Sequence, residues 1–415
     1  MSAQAVIKRR FGMFEALGYR GYRLFWFGSL ASVMGFQMLL LTQGWLMYRL
    51  TGSPVQLGLV GLASAVPSIL LTFFGGVLAD KVDQRRLIIA TSFLGALIVV
   101  AMGLLTLAEM IQPWHLIVGA LLLGGVGAFD MPSRQAIFPH LIERRSMMSA
   151  VTLNAMIWQG TRIVGPALGA VGIALAGPGY TFLAAAAGYV IFVLFLGMVR
   201  LPKVERTVSG NMLKEMGQGL AYVRGNHLFA FLLGMTFFNS FFGMAYITLM
   251  PIFQRDILQV GVGGLGWLMT LGGVGAFTGT FAVASIGKNL PKGRLIIGGA
   301  LLFGASIVAF AYSQWFLLSL GLVFLGGMMS SVYMIAVQST LQMLVPDQFR
   351  GRVMGFWGMT YTMLPLGGFQ AGVVTSFLGA PFAVAMGGAL VMAFAVVAAA
   401  RNAQVRRLGA DPRSP

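Results

Sequence analysis

Apolar stretches of roughly 20 residues, the length a membrane-spanning helix needs, recur along nearly the whole of this chain. A helix of that length covers about 30 Å at about 1.5 Å per residue, the thickness of the hydrocarbon layer. Backbone polar groups in lipid must be satisfied within the segment, so the spans are helices. A membrane β-barrel would show alternating segments of about ten residues, and no such alternation runs through this sequence. Composition agrees: 58% of the 415 residues are hydrophobic and 9% charged, whereas a soluble domain carries about 25% charged residues. The expected class is an all-α membrane protein with little room for a soluble domain.

The N-terminal segment is basic (Lys8, Arg9, Arg10, Arg20, Arg23) and is followed by an apolar run from about Leu24 to Tyr48. That run exceeds the 7–15 residues of a signal-peptide core and has no clear cleavage site after it, so it reads as a retained first span. Further spans are expected near 55–79, 87–108, 115–136, 149–173, 179–199, 229–252, 263–287, 295–312, 315–337, 352–376 and 380–400. The net charge of +17 would point to nucleic acid in a soluble protein. Here the positive-inside rule accounts for it and no nucleic-acid partner is expected. With the N-terminus inside, 25 of the 28 Lys and Arg fall on one side; Arg49 and Arg255 fall outside, and Arg162 lies within a span. Both termini are therefore expected in the cytoplasm, in a bacterial inner membrane. Cysteine is absent and the three histidines are far apart, so no disulfide, metal site or cofactor is expected.

A polar connection at 200–228 separates six expected spans from six more. The expected organisation is an N-terminal half at 1–199, a cytoplasmic loop at 200–228, a C-terminal half at 229–400 and a tail at 401–415. The halves share local sequence at an offset of about 208 residues, the mark of an internal duplication. Leu57-Gly58 corresponds to Leu265-Gly266, and Arg86-Leu87-Ile88-Ile89 to Arg294-Leu295-Ile296-Ile297. Gln135 and Pro139 correspond to Gln342 and Pro346 at an offset of 207, one less. Twelve helices in two pseudo-symmetric six-helix halves form an architecture known among secondary transporters. In this respect the chain resembles the major facilitator superfamily over nearly its whole length.

The most specific motif is Gly75-Gly76-Val77-Leu78-Ala79-Asp80-Lys81-Val82-Asp83-Gln84-Arg85-Arg86. It resembles the superfamily's loop signature between spans 2 and 3. The glycines allow close helix packing, and Asp80 can accept free N–H groups at a helix N-terminus, a contact of about 0.3–1 kcal/mol. The resemblance implies that its partner is the start of span 11, near Arg350 and Arg352, and that the motif acts as a gate. The corresponding place in the second half carries Lys288. Asp130-Met131-Pro132-Ser133-Arg134-Gln135 ends span 4. Asp130 and Arg134 share a helix face if the helix continues past Pro132. Asp130 is either a proton carrier or a gate partner for Arg85 and Arg134.

Span 5 contains Thr161-Arg162-Ile163-Val164-Gly165-Pro166-Ala167-Leu168-Gly169-Ala170, similar to the Gly-Pro signature of many exporters. Gly165, Pro166 and Gly169 let helices approach and bend. A charge at the depth of Arg162 costs about 2.5–3.5 kcal/mol, which marks it as functional. Asn154, Trp158 and Arg162 form one stripe at i, i+4 and i+8. Arg162 either binds a substrate group or hydrogen-bonds neighbouring carbonyls. Gln37, Gln43, Asn239, Tyr246, Trp357 and Tyr361 are further candidates to line a cavity. Gly261-Val262-Gly263-Gly264-Leu265-Gly266 matches a dinucleotide pattern but opens a span, and no phosphate-binding G-x-x-x-x-G-K-[ST] occurs.

Several stretches resemble the branch of the superfamily that contains enterobactin exporters and macrolide-efflux proteins. They are Tyr19-Arg20-Gly21-Tyr22-Arg23-Leu24-Phe25-Trp26, the Asp130 motif, Arg162-Ile163-Val164-Gly165-Pro166, and Val345 to Gly355. The resemblance implies a non-enzymatic antiporter: proton-coupled efflux of a small hydrophobic or amphipathic compound by alternating access, carried out by a monomer in the bilayer. The first span has no acidic residue, a departure from many proton-coupled drug exporters. The competing readings are a lysolipid or lipid flippase, a small-nutrient importer, and a non-transporting scaffold or receptor.

Overall fold

The computed structural model describes residues 14–199, 220–286 and 291–408, almost all helical, with no β-strand among them. The first helices are α1 (Arg20–Thr51), α2 (Pro54–Lys81), α3 (Gln84–Leu107), α4 (Pro113–Ile137) and α5 (Met147–Gly197). Beyond the central connection come α6 (His227–Phe241), α7 (Tyr246–Ile252), α8 (Val262–Ile286) and α9 (Lys292–Ala311). They are followed by α10 (Phe316–Leu344), α11 (Asp347–Tyr361), α12 (Leu364–Leu378), α13 (Ala380–Arg401) and a short α14 (Ala403–Arg407).

Among the described residues, ten helical stretches are long and apolar enough to cross a membrane. Two backbone features reconcile this with the twelve expected spans. The stretch Arg144–Gly197 has 54 residues. At about 1.5 Å per residue it is roughly 80 Å long, more than twice the hydrocarbon thickness. It is broken at Gly177, where φ is 85° and ψ 170°, a conformation a side chain would strain. Expected spans 5 and 6 lie on either side of that break. Span 11 is instead divided into α11 and α12, each of 15 residues and each too short to cross alone. Span 7 is likewise assembled from α6, a 3-10 turn at Gly243–Ala245, α7 and a π turn at Phe253–Ile257.

The chain forms two compact units, 1–51 with 63–208 and 52–62 with 209–415. The first residues of α2 thus group with the second unit. The reason is close backbone packing: a Cβ on Gly58 would lie 2.7 Å from the Cα of Phe369.

Each unit is held by glycines pressed against a neighbouring backbone. Lipid offers no hydrophobic drive between helices, so such close contact is what associates them. In the first unit a Cβ on Gly75 would meet the carbonyl oxygen of Ala128 at 2.1 Å, and one on Gly35 that of Ala185 at 2.3 Å. In the second unit a Cβ on Gly275 would meet the Phe324 oxygen at 2.0 Å, and one on Gly387 the Phe242 oxygen at 2.4 Å. These contacts join spans 2 and 4 and spans 1 and 6 in one unit, and spans 8 and 10 and spans 7 and 12 in the other. The same helix pairs meet in both, the packing counterpart of the repeated sequence. Large apolar side chains such as Leu175, Leu317 and Phe377 are more than 80% exposed, which suits a surface solvated by lipid.

Candidate functional site

The polar centre of the first unit is built around the end of α4. The helix continues through Pro132, so Asp130 and Arg134 share a face and form an ion pair. Their side chains are 14% and 12% exposed. A pair so enclosed is tolerable only if its remaining lone pairs and protons find partners. Thr91 donates to Asp130 Oδ1 at 2.9 Å and Ser92 to the same oxygen at 3.4 Å. Arg134 donates to the hydroxyl oxygens of Ser32 at 3.0 Å and Ser92 at 3.4 Å, and its guanidinium lies 4.1 Å over the ring of Phe192. Helices α1, α3, α4 and α5 all contribute. Ser32, Thr91, Ser92 and Phe192 were not legible as site residues: a Thr in a span ordinarily bonds its own preceding turn, as Thr91 also does to Leu87 O at 3.0 Å.

The loop motif divides. Gly75 makes the α2–α4 contact described above, while the packing of Gly76 and the side chains of Asp80 and Lys81 lie outside what is described. Asp83 caps α3, accepting from the Arg86 N–H at 3.2 Å, and pairs with the exposed Arg86 side chain at 3.6 Å. Arg85 does not join Asp130. It donates to Leu196 O at 2.9 Å and to Gly197 O, closing the C-terminus of α5, where cations are favoured by the helix dipole.

On α5, a Cβ on Gly165 would lie 2.4 Å from the Cβ of Gln37, so the Gly-Pro stretch brings α5 directly onto α1. Pro166 is buried beside it. At Gly169 a Cβ would meet Met38 Cα at an ordinary 3.4 Å. Gln43 is buried and its amide donates to Leu116 O at 2.7 Å, a bond between α1 and α4. Asn154 and Trp158 line a cavity of about 40 Å³ together with Ser29 and Arg134. Arg162, one turn further along the stripe, is half-buried and makes no hydrogen bond or ion pair with the described residues.

In the second unit Asn239 is buried and accepts from Ser330 at 3.4 Å. Tyr246 is buried with its ring edge-on to Phe310, and Trp357 meets Tyr361 edge-on at 5.0 Å. The Trp357 ring N–H and the hydroxyl of the fully buried Tyr333 are buried with no hydrogen-bond partner among the described residues. Tyr333 gives no sign in the sequence, being one more aromatic residue in an apolar span. At the start of α11, Arg350 donates to Val345 O at 3.3 Å and Arg352 lies 5.7 Å from the Phe349 ring.

Two units that pack the same helix pairs, almost all helical among the described residues and each with a few buried polar groups, are a frame for moving something across a membrane. Residues 12–414 match the family described as transmembrane secretion effector, a branch of the major facilitator superfamily. The chain belongs to that superfamily. This transporter is 26% identical over 342 residues to the staphyloferrin A transporter of Staphylococcus aureus, covering 81% of this chain and 84% of that one. It is 23% identical over 396 residues to macrolide efflux protein A of Streptococcus pyogenes, covering 92% and 96%. Among solved structures it resembles a bacterial homolog of the human lysosomal transporter Spinster, inward-facing and unoccupied. The TM-score is 0.73 at 15% identity, with 96% and 99% of the two chains covered. That likeness is one of fold. The transporter spans nearly the full length of such relatives, and efflux proteins are among them.

Proposed function

We propose that this transporter exports a hydrophobic or amphipathic compound of drug or siderophore type in exchange for protons, by alternating access, with both termini in the cytoplasm of a bacterial cell. The observation that carries the reading is Arg162, a guanidinium within a span that none of the described residues satisfies. A charge at that depth costs about 2.5–3.5 kcal/mol, and a substrate group that meets it recovers part of that. The relatives named for siderophore transport and macrolide efflux favour export over import. Asp130 is the candidate proton carrier. The alternative role for the same carboxylate is to lock the first unit through Arg134.

The energy is sufficient. A proton crossing about 100 mV gains roughly 2.3 kcal/mol, and each 1.36 kcal/mol is about a tenfold ratio. One proton therefore sustains a gradient of roughly fiftyfold before any pH term. The test is transport of a macrolide, a siderophore and a lipophilic dye in proteoliposomes under an imposed pH gradient. Acceleration by the gradient, lost in Asp130→Asn while binding persists, is the expected result. Gradient-driven transport that survives the substitution assigns Asp130 to the lock. Transport indifferent to the gradient rejects proton coupling. Reporter fusions after Arg206 and Arg407 should read cytoplasm and one in the 258–261 connection, just beyond the π turn at Phe253–Ile257, the outside; a cytoplasmic signal there rejects the orientation.

A further inference from the structure

The cavity beside Arg134 has a composition that the exporter reading does not explain. Three helix faces converge on it at helical spacing: Ser29 from α1, Met131, Arg134 and Gln135 from α4, and Asn154 and Trp158 from α5. Ser29 is 4% exposed, and its hydroxyl is buried with no hydrogen-bond partner. Leaving such a group unmet is costly. The half-buried side-chain amide of Asn154 makes no hydrogen bond with the described residues either, and Gln135 at the rim is exposed. At about 40 Å³ the space holds two or three waters, or one small functional group, since a water occupies at least about 10–15 Å³ by this measure.

The groups around it select the occupant's chemistry. The hydroxyl and amides both donate and accept, whereas the Trp158 indole and the Arg134 guanidinium only donate, so the balance favours an acceptor. The charge of Arg134 is already balanced by Asp130, so a full anion would find no free countercharge and would be repelled by the nearby carboxylate. A neutral acceptor meets neither difficulty.

We infer that this cavity receives a neutral hydrogen-bond acceptor of the transported compound, a ketone, ester or amide oxygen, whose apolar body extends away from it. The inference rests on the exporter reading and specifies its substrate. Asn154 and Trp158 belong both to the cavity and to the stripe that ends at Arg162, so a compound anchored here lies along that stripe. Arg134 borders the cavity and also holds Asp130. An acceptor bound here competes for its N–H groups, and occupancy is felt directly by the buried pair. The adaptable thioether of Met131 in the wall accommodates substituents of different shape.

The experiment uses benzophenone, a neutral diaryl ketone that is also its own photolabel, on the purified full-length protein in micelles. The expected result is a saturable adduct at Met131. It should be displaced by excess benzanilide, which keeps a carbonyl between two rings, and not by diphenylmethane, which lacks one. Ser29→Ala and Asn154→Leu should each lower labelling about fivefold, the equivalent of one net hydrogen bond of about 1 kcal/mol. Ser29→Ala removes a buried hydroxyl that bonds nothing, so without ligand the variant should unfold no more readily than the unsubstituted protein. Equal displacement by diphenylmethane, labelling unchanged in both variants, or no adduct in the cavity wall each overturn the inference and leave a pocket of structural water. The readout needs no gradient. Transport that fails while labelling succeeds rejects export alone, and labelling that fails while transport proceeds rejects the cavity alone.

Discussion

Replacing Arg134 by Met tests how the first unit is held. The substitution keeps the length of the side chain but leaves Asp130, 14% exposed, with only the hydroxyls of Thr91 and Ser92. Breaking a buried pair from one side costs about 3–5 kcal/mol, and here about 4 kcal/mol is expected, because the bond to Ser32 and the contact with Phe192 go too. Asp130→Asn is milder. Its amide oxygen still accepts from Thr91 and Ser92, and Arg134 keeps Ser32 and the Phe192 ring. The loss is that of a charge-assisted bond, about 2–3 kcal/mol. The double substitution leaves no uncompensated charge and should cost about 3 kcal/mol in all, well below the sum of the two, for a coupling near 3 kcal/mol. Equilibrium unfolding of the four proteins in mixed micelles measures this cycle. If the two single effects add within about 0.5 kcal/mol, the residues are independent and the network reasoning is refuted.

Gly165→Ala places a methyl group 2.4 Å from the Gln37 Cβ, whereas at Gly169 the nearest atom is 3.4 Å away. Gly165→Ala should therefore cost about 1–3 kcal/mol by overpacking and Gly169→Ala little, measured by the same unfolding. Arg162→Gln should leave unfolding within about 0.5 kcal/mol, because no protein partner is lost, but abolish transport in proteoliposomes; a large stability loss would reveal a structural role. Asp80→Asn should fold normally and transport slowly, with spin-label distances shifted toward the cytoplasm-open state, as expected of a gate contact worth about 0.3–1 kcal/mol. Unchanged distances and rates would remove Asp80 from the gate.

Much of this architecture was legible before any coordinates. Length and apolarity alone require helices that span, since a bilayer leaves the backbone no other partner. The offset between Arg86-Leu87 and Arg294-Leu295 has a counterpart in packing, since the same helix pairs meet in each unit, although residues 52–62 group with the second unit rather than the first. The Asp130–Arg134 spacing was equally informative, because i and i+4 place two side chains together whenever the helix persists, and α4 persists through Pro132. What the sequence could not decide is what each polar group meets across the bundle. Arg85 and Arg134 look alike in the chain, yet Arg85 closes the end of α5 and Arg134 holds Asp130. Gln43 and Asn154 look alike as well, and one bridges α1 to α4 while the other faces a cavity. Span 11 reads as one helix and is two. Ser29, Ser32 and Ser92 are small hydroxyls with no periodic signal. They acquire a role only where helices distant in sequence bring them within about 3 Å of a partner, or, for Ser29, of none; a hydrogen bond is too short-ranged to be inferred from spacing along a single helix.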